Sequence, residues 1–559
     1  MNQEGKKKAK LPRRGRELVP SALTEVRALL ADAPRLRDLL IEHLHLINDH
    51  YGCLSKDHLL ALAEEMKLSG AEVYEVATFY HHFDVVESVA DAPPAITVRV
   101  CQSLTCAMFG SEKLQSDLLT KLSPNVRVIS APCVGRCAAA PVAVVQQNPI
   151  EHANVAAVCA SVSNQAVQAP EYESLGLKAY CQSGGYQLLQ RCLKGDFTRE
   201  QVIAALKESR LRGLGGAGFP AGTKWEILRK QPQPRLLAIN IDEGEPGTFK
   251  DRHYLERDPH RFLEGALIAA WVVESQDIYI YLRDEYAGCR AALGREIALL
   301  QASPPCPLPN IHLRRGAGAY ICGEESAMIE SIEGKRGMPR LRPPFVAEVG
   351  LFGRPTLEHN LETLFWVRDI VEKGPAWFVS QGRQGRTGLR SFSVSGRVQK
   401  PGVHLAPAGI SVRELIDEFC GGMLPGHAFY GYFPGGASGG MLPASMGDLP
   451  LDFDTLNAHG CFIGSAAVII FSRQDRARDL ALNAMEFFRD ESCGQCTPCR
   501  VGTAKAVTLM QSRRWDAALL KELAQTMADA SICGLGQAAP NPLLCAMKYF
   551  PEEFSEVDT

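Results

Sequence analysis

Eight of the chain's 18 cysteines fall into two groups whose spacing suits metal ligation. Cys101 and Cys106 are separated by four residues and Cys133 and Cys137 by three, and each pair follows a strand-like segment, 96–100 and 126–129. Two such loops bring four thiolates around one centre. Four thiolates suit a [2Fe-2S] cluster, and the same count also holds tetrahedral zinc. The gaps are longer than the two residues common in structural zinc sites, which favours iron-sulfur. Cys493, Cys496 and Cys499 form C-x2-C-x2-C, three thiolates on one tight loop that call for a fourth from elsewhere, the pattern of a [4Fe-4S] site. Cys533, in the turn Ser531-Ile532-Cys533-Gly534, is the expected fourth ligand. Cys545 lies in an apolar run and reads as core, and most of the isolated cysteines read as small buried hydrophobes.

Two glycine-rich runs offer a different chemistry. Gly213, Gly215 and Gly218 satisfy G-x-G-x-x-G, but a helical pattern at 201–210 precedes them where a dinucleotide fingerprint needs a strand. Thr223 between Gly222 and Lys224 spoils the alternative phosphate-loop reading. What remains is a backbone without side-chain bulk at Gly213, Gly215, Gly216 and Gly218, able to approach a flat or anionic ligand beside the Lys224 cation, or else a plain flexible loop. The second run, Gly316 to Tyr320, follows a strand pattern and leads to a helix beginning near Glu324, whose first amides are placed to face a phosphate. Between the runs, Asn240 to Gly247 forms an acidic turn at a strand end, where carboxylates can accept hydrogen bonds from ribose or ribityl hydroxyls.

The elements that position these groups follow from length and periodicity. A chain of 559 residues exceeds one core and implies several domains. A net charge of −3 excludes a nucleic-acid role, since only the basic tail (Lys6, Lys7, Lys8, Lys10, Arg13, Arg14, Arg16) opposes phosphate. The longest apolar stretches are about half of a membrane span, and no apolar signal region follows the tail, so a cytoplasmic protein with reduced thiols is expected. Helical periodicity covers 18–90 and the Pro93-Pro94 pair ends it. After Pro141 an Ala/Gln/Ser/Asn stretch to Pro170 reads as a linker. Helix and strand patterns then alternate, with strands at 235–241, 278–282 and 311–314, which predicts an α/β layer. A strand at 392–398 opens a small β-containing domain, and helices resume near 478.

Three segments read together resemble the flavin subunit of respiratory complex I and its soluble relatives: Gly213-Leu-Gly-Gly-Ala-Gly-Phe-Pro-Ala-Gly-Thr-Lys-Trp225, Asp242-Glu-Gly-Glu-Pro-Gly-Thr-Phe-Lys-Asp-Arg252 and Gly316-Ala-Gly-Ala-Tyr-Ile-Cys-Gly-Glu-Glu325. The resemblance continues through Glu491-Ser-Cys-Gly-Gln-Cys-Thr-Pro-Cys-Arg500 to Cys533 and so covers residues 171–550. Residues 18–145, with Glu75-Val-Ala-Thr-Phe-Tyr80 and both cysteine pairs, are similar to the family's separate thioredoxin-like [2Fe-2S] subunit. Such a fusion resembles the β subunit of NAD-dependent molybdenum or tungsten formate dehydrogenases, and diaphorase subunits of NAD-reducing hydrogenases look similar.

The resemblance implies a multidomain α/β chain: a tail at 1–17, a helical domain at 18–92, a thioredoxin-like [2Fe-2S] domain with linker at 93–168, a Rossmann-like FMN/NAD(H) domain at 169–390, a β-grasp (SLBB) domain at 391–478 and a helical [4Fe-4S] domain at 479–559. It implies FMN held by Gly213, Gly215, Gly216, Lys224, Asn240, Asp242, Glu243, Tyr320, Gly323, Glu324 and Asn360. NAD is expected to stack on the flavin between Phe219 and Phe345, with Glu245 and Glu325 near its ribose or nicotinamide. The plain reading of these four is core packing for the phenylalanines and solvation for the acids. His359 is placed beside Asn360 among the cofactor-binding residues, where the family usually has a second Asn. No acid-base residue is expected, because hydride passes directly between stacked rings. The expected partner is a large molybdenum/tungsten subunit carrying further clusters; a hydrogenase partner, or a non-catalytic zinc scaffold, are the alternatives.

Overall fold

The computed structural model describes residues 16–554, so all but the last two residues of the basic tail lie outside the described residues. The chain divides into two units between Pro93 and Pro94. In the first, helices Pro20–Leu30, Leu40–Tyr51, Lys56–Met66 and Gly70–Phe79 bury Leu44, Ile47, Leu59, Leu62, Val73 and Val76 on facing stripes. Ser69 and Glu72 form a capping box that fixes the start of the fourth helix.

The second unit contains three sheets and a helical C-terminus. Its first sheet runs in the order Val126–Ala131, Ile96–Cys101, Ala143–Val145, Asn148–Ile150, with the first two strands parallel and the rest antiparallel. The stretch read as a linker is therefore structured: it supplies the last two strands and the helix Val155–Ser163. Asn154 caps that helix through Ala157 N at 3.0 Å, and Val145 and Val158 are fully buried. Three-residue strands carry too little alternation to stand out from an Ala- and Gln-rich composition.

The second sheet is wholly parallel, in the order Thr356–Asn360, Arg235–Ile241, Ser275–Leu282, Asn310–Arg315. Helices on its faces bury Leu237, Ile239, Ile280, Leu282 and Leu357 from both sides, which is why these strands read as continuous apolar runs. In chain order the strands lie 4-1-2-3, so the order reverses between the first and fourth. In open α/β sheets, ligands bind in the crevice outside the strand C-termini at that reversal. Asn240 and Asn360 pair in register there.

The third sheet, in the order Gly402–Pro407, Leu389–Gly396, Ala467–Ser472, Phe429–Phe433, Leu442–Pro443, is mixed. Helices Ala477–Asp490, Thr497–Met510, Ala517–Ala530 and Asn541–Tyr549 follow it. Among the described residues no helix is long and apolar enough to cross a membrane.

Candidate functional site

Strand geometry brings the first four clustered thiols together. Cys101 ends its strand, Cys106 lies on the short helix Leu104–Met108, and Cys133 and Cys137 flank the turn after Ala131. All four are at most 5% exposed, with the Cys133 and Cys137 sulfurs 3.3 Å apart. Contacts run from Cys106 through Cys101 to Cys133. Hydrogen bonding to Cys106 and Cys133 and burial push the Cys101 thiol well up, so this set ionises together only around a multivalent cation, which an iron cluster supplies.

The second set is assembled by two helix starts. Cys496 and Cys533 precede the helices Thr497–Met510 and Gly534–Ala538, with Cys493 and Cys499 on either side of the first. Their thiols interact mutually, and burial pushes Cys499 and Cys533 up to about 11. Gly536 is required by this packing: a Cβ there would lie 2.9 Å from Cys499 Cβ. Cys545 is buried as expected, but its sulfur sits 3.5 Å from that of Cys461, a pairing that isolated positions 84 residues apart did not reveal.

The strand-end turns of the reversal crevice touch both thiol-bearing segments, through Arg283 to Cys133 O and Tyr320 N to Glu491. The loop Gly213 to Gly218 closes on itself through Gly213 N to Phe219 O at 2.8 Å and connects two helices, as the absence of a preceding strand pattern required. Its bareness is enforced: a Cβ on Gly215 would meet Asn360 Cβ at 2.9 Å, and one on Gly218, at φ +66°, would meet the Phe453 ring at 2.6 Å. Asn240 donates to Gly323 O at 2.9 Å and Glu358 Oε1 at 3.0 Å, which ties the first strand end to the turn before Glu324. Asn360 donates to Asp251 and accepts from Lys250, a buried cation that also pairs with Asp251 and Glu362.

Asp242 Oδ2 is buried without a hydrogen-bond partner among the described residues, and burial raises its carboxyl well above the usual range. An orphaned acceptor beside a glycine cradle fits a ligand bearing hydroxyls, as FMN does. Lys224 pairs with Glu325 at 2.9 Å. Burial would raise Glu325, but the Lys224 charge holds it below its ordinary value. Glu358, which carries no signal in the local sequence, shares this corner; burial and the Glu325 charge push it up to about 8.

Other candidate residues have commitments of their own. The Glu243 carboxylate caps the helix Lys250–Arg257, accepting from Asp251 N at 2.8 Å, Arg252 N at 3.2 Å and the Tyr286 hydroxyl at 2.9 Å. Burial and neighbouring Asp251 raise it to about 7. Glu324 accepts from Ser326 N and Ala327 N at 3.0 and 2.9 Å. The helix start expected to face a phosphate is thus capped by its own carboxylate. Glu245 accepts from the Tyr320 hydroxyl and from Ser438 N and Oγ at 2.7 and 2.9 Å, and burial raises it. Tyr320 N donates to Glu491 at 2.9 Å, and its ring packs edge-on against Phe487, so one residue joins the crevice to the segment carrying Cys493. Phe219 and Phe345 are 47% and 54% exposed, so neither is packed in the core.

His359 lies one residue before the reversal point, and its Nε2 accepts from the Trp225 indole N–H at 2.7 Å. Burial, aided by Lys224, depresses its pKa well below the usual histidine value. The unfolded chain takes up a proton here below about pH 6.5, whereas the folded chain does not, so acid destabilises the fold through this residue by up to about 1.4 kcal/mol per pH unit. His359→Asn is expected to keep its flavin and to narrow the gap between melting temperatures at pH 7.5 and pH 5.5. An unchanged gap would show that the folded chain protonates His359.

A strand-reversal crevice flanked by two four-thiol sets defines a nucleotide-binding electron-transfer protein. Residues 206–369 match the Nuo51 FMN-binding domain, residues 479–557 the NADH-ubiquinone oxidoreductase-F iron-sulfur binding region, and residues 26–165 the thioredoxin-like [2Fe-2S] ferredoxin. An NADH-quinone oxidoreductase subunit of Rhizobium meliloti (strain 1021) is 41% identical over 393 residues, 68% of this chain and 93% of the relative. The NADH-quinone oxidoreductase counterpart from Aquifex aeolicus (strain VF5) is 38% identical over 67% of this chain and 90% of the relative. Among solved structures, an NAD+-reducing [NiFe]-hydrogenase in the H2-reduced state superposes with a TM-score of 0.80 at 29% identity, covering 93% of this chain and 92% of that one.

The chain belongs to the complex I 51 kDa-type family of NADH-binding FMN subunits, with [2Fe-2S] and [4Fe-4S] regions. It is an oxidoreductase subunit that acts on NADH and transfers electrons through flavin and iron-sulfur centres.

Proposed function

We propose that the chain is the diaphorase subunit of a cytoplasmic NAD-dependent formate dehydrogenase, exchanging electrons with a large molybdenum- or tungsten-containing subunit that carries further iron-sulfur clusters. The observation that carries the diaphorase role is the convergence of Gly215, Asn240, Asp242 and Gly323 on the strand reversal, whose turns touch both thiol-bearing segments. In this reading FMN is held by Gly213, Gly215, Gly216, Lys224, Asn240, Asp242, Tyr320, Gly323 and Asn360. Glu243 and Glu324 support it from behind as helix caps. Phe219 and Phe345 flank the dinucleotide, with Glu245 and Glu325 beside it. FMN supplies the conversion between a hydride pair and single electrons. The protein's part is to hold two flat rings in contact and to shelter them from water.

The formate assignment rests on the fused thioredoxin-like half, which resembles formate dehydrogenase β subunits. A second reading, the diaphorase subunit of an NAD-reducing hydrogenase, is favoured by the likeness to the [NiFe]-hydrogenase chain over nearly its whole length. Elemental analysis of the copurified complex separates them: molybdenum or tungsten supports formate, and nickel supports hydrogen. The chain itself, purified anaerobically, is expected to hold about six iron atoms and one FMN. Stoichiometric zinc without iron would sink the redox assignment of the thiols.

A further inference from the structure

The loop that joins Cys133 to Cys137 is held by residues of the parallel-sheet domain. Arg283, directly after the strand Ser275–Leu282, is 3% exposed and donates to Cys133 O at 2.8 Å through Nη2. Its Nη1 donates to Glu243 O, in the acidic turn beside Asp242. Arg252 donates to Gly135 O at 2.9 Å. Gly135 has φ +69°, and a Cβ there would lie 2.1 Å from the Tyr286 hydroxyl. That hydroxyl in turn donates to Glu243. One buried guanidinium thus spans the thiol loop and the strand-end turn, with the Tyr286 ring 5.1 Å from its centre.

The guanidinium divides its donors between the Cys133 and Glu243 carbonyls and the Glu285 carboxylate, so its burial is compensated and its charge stays fixed beside the thiol loop. Its countercharge, Glu285, pairs at 2.8 Å but is a quarter exposed, so water screens the acid more than the base. The guanidinium, held 2.8 Å from the Cys133 carbonyl, therefore brings the less screened charge of the pair to the thiol loop. A cluster gains one negative charge on reduction, and a fixed cation in a low-dielectric site stabilises that form.

We infer that Arg283 is a positioning residue that locks the Cys133 loop to the flavin-domain turn and keeps the [2Fe-2S] centre reducible by fixing a positive charge beside it. The inference rests on Cys101, Cys106, Cys133 and Cys137 being the cluster's ligands. The test is an EPR-monitored redox titration of the full holo chain carrying Arg283→Gln, Arg283→Lys or Glu285→Gln, with iron content measured on each. Arg283→Gln is expected to shift the [2Fe-2S] midpoint to more negative potential, Arg283→Lys to leave it near wild type, and Glu285→Gln to shift it positive. The [4Fe-4S] midpoint should stay fixed in all three and acts as the internal control. An unmoved [2Fe-2S] midpoint in Glu285→Gln, or in an Arg283→Gln chain with full iron, overturns the inference. If Arg283→Gln loses two irons, the Glu285→Gln shift decides alone. A wild-type chain without a [2Fe-2S] signal would instead overturn the ligand assignment.

Discussion

Cys499→Ser is expected to leave NADH reduction of an artificial acceptor at near wild-type rate while reducing electron exchange between NAD and the partner subunit to background. Cys499 is the buried member of the second thiol set, and that set meets the crevice through Tyr320, Glu491 and Phe487. Serine keeps the side chain's size but removes the soft thiolate that iron requires. Cys133→Ser, in the other set, should impair the exchange less, because the resemblance to the complex I family implies that the thioredoxin-like centre is a side branch of the electron path. Rapid-mixing spectra of flavin bleaching by NADH, run beside partner-driven NAD reduction, read the two halves separately. Full exchange in a Cys499→Ser chain with its cluster verified absent would place the outlet elsewhere.

Lys224→Ala and Glu243→Ala should part company in the same way at the crevice. Lys224 is on the helix that follows the glycine loop, and its ion pair with Glu325 is part-buried. Removing it is expected to weaken flavin retention about tenfold or more, the worth of one charge-assisted contact, with iron content and melting temperature nearly unchanged. Glu243 carries two helix amides and a tyrosine hydroxyl. Its loss strands three donors, two of them fully buried, and should cost about 2–3 kcal/mol of stability, so flavin and the first cluster decline together. Flavin content by fluorescence after denaturation, against iron by colorimetry, distinguishes the patterns. Equal loss of both from Lys224→Ala would mark a folding role for that residue.

These outcomes follow from what local sequence can carry. The strand 235–241, the helix start near 478 and both thiol sets were legible because periodicity and ligand spacing are properties of adjacent residues. Arg283, Lys250 and Glu358 were not, because their meaning lies in partners such as Cys133, 150 residues away from Arg283, and Asn360, 110 away from Lys250. Glu243 and Glu324 were found as part of a ligand motif, yet their carboxylates cap helices. An acidic residue at a strand end has the same letter for either task. His359, read as an uncertain ligand position, turns its ring nitrogen to Trp225.

The parallel sheet has four strands and one reversal of order. A doubly wound dinucleotide enzyme is built from two halves that meet at such a reversal, and it gives each end of its cofactor a seat of its own. Here four strands with one reversal serve both a mononucleotide and a dinucleotide. In the proposed reading the second arrival uses the first as its floor, with loop aromatics such as Phe219 and Phe345 as walls. In that reading nucleotide recognition is conditional on the prosthetic group, and a chain stripped of flavin is expected to lose its grip on NADH as well as its chemistry.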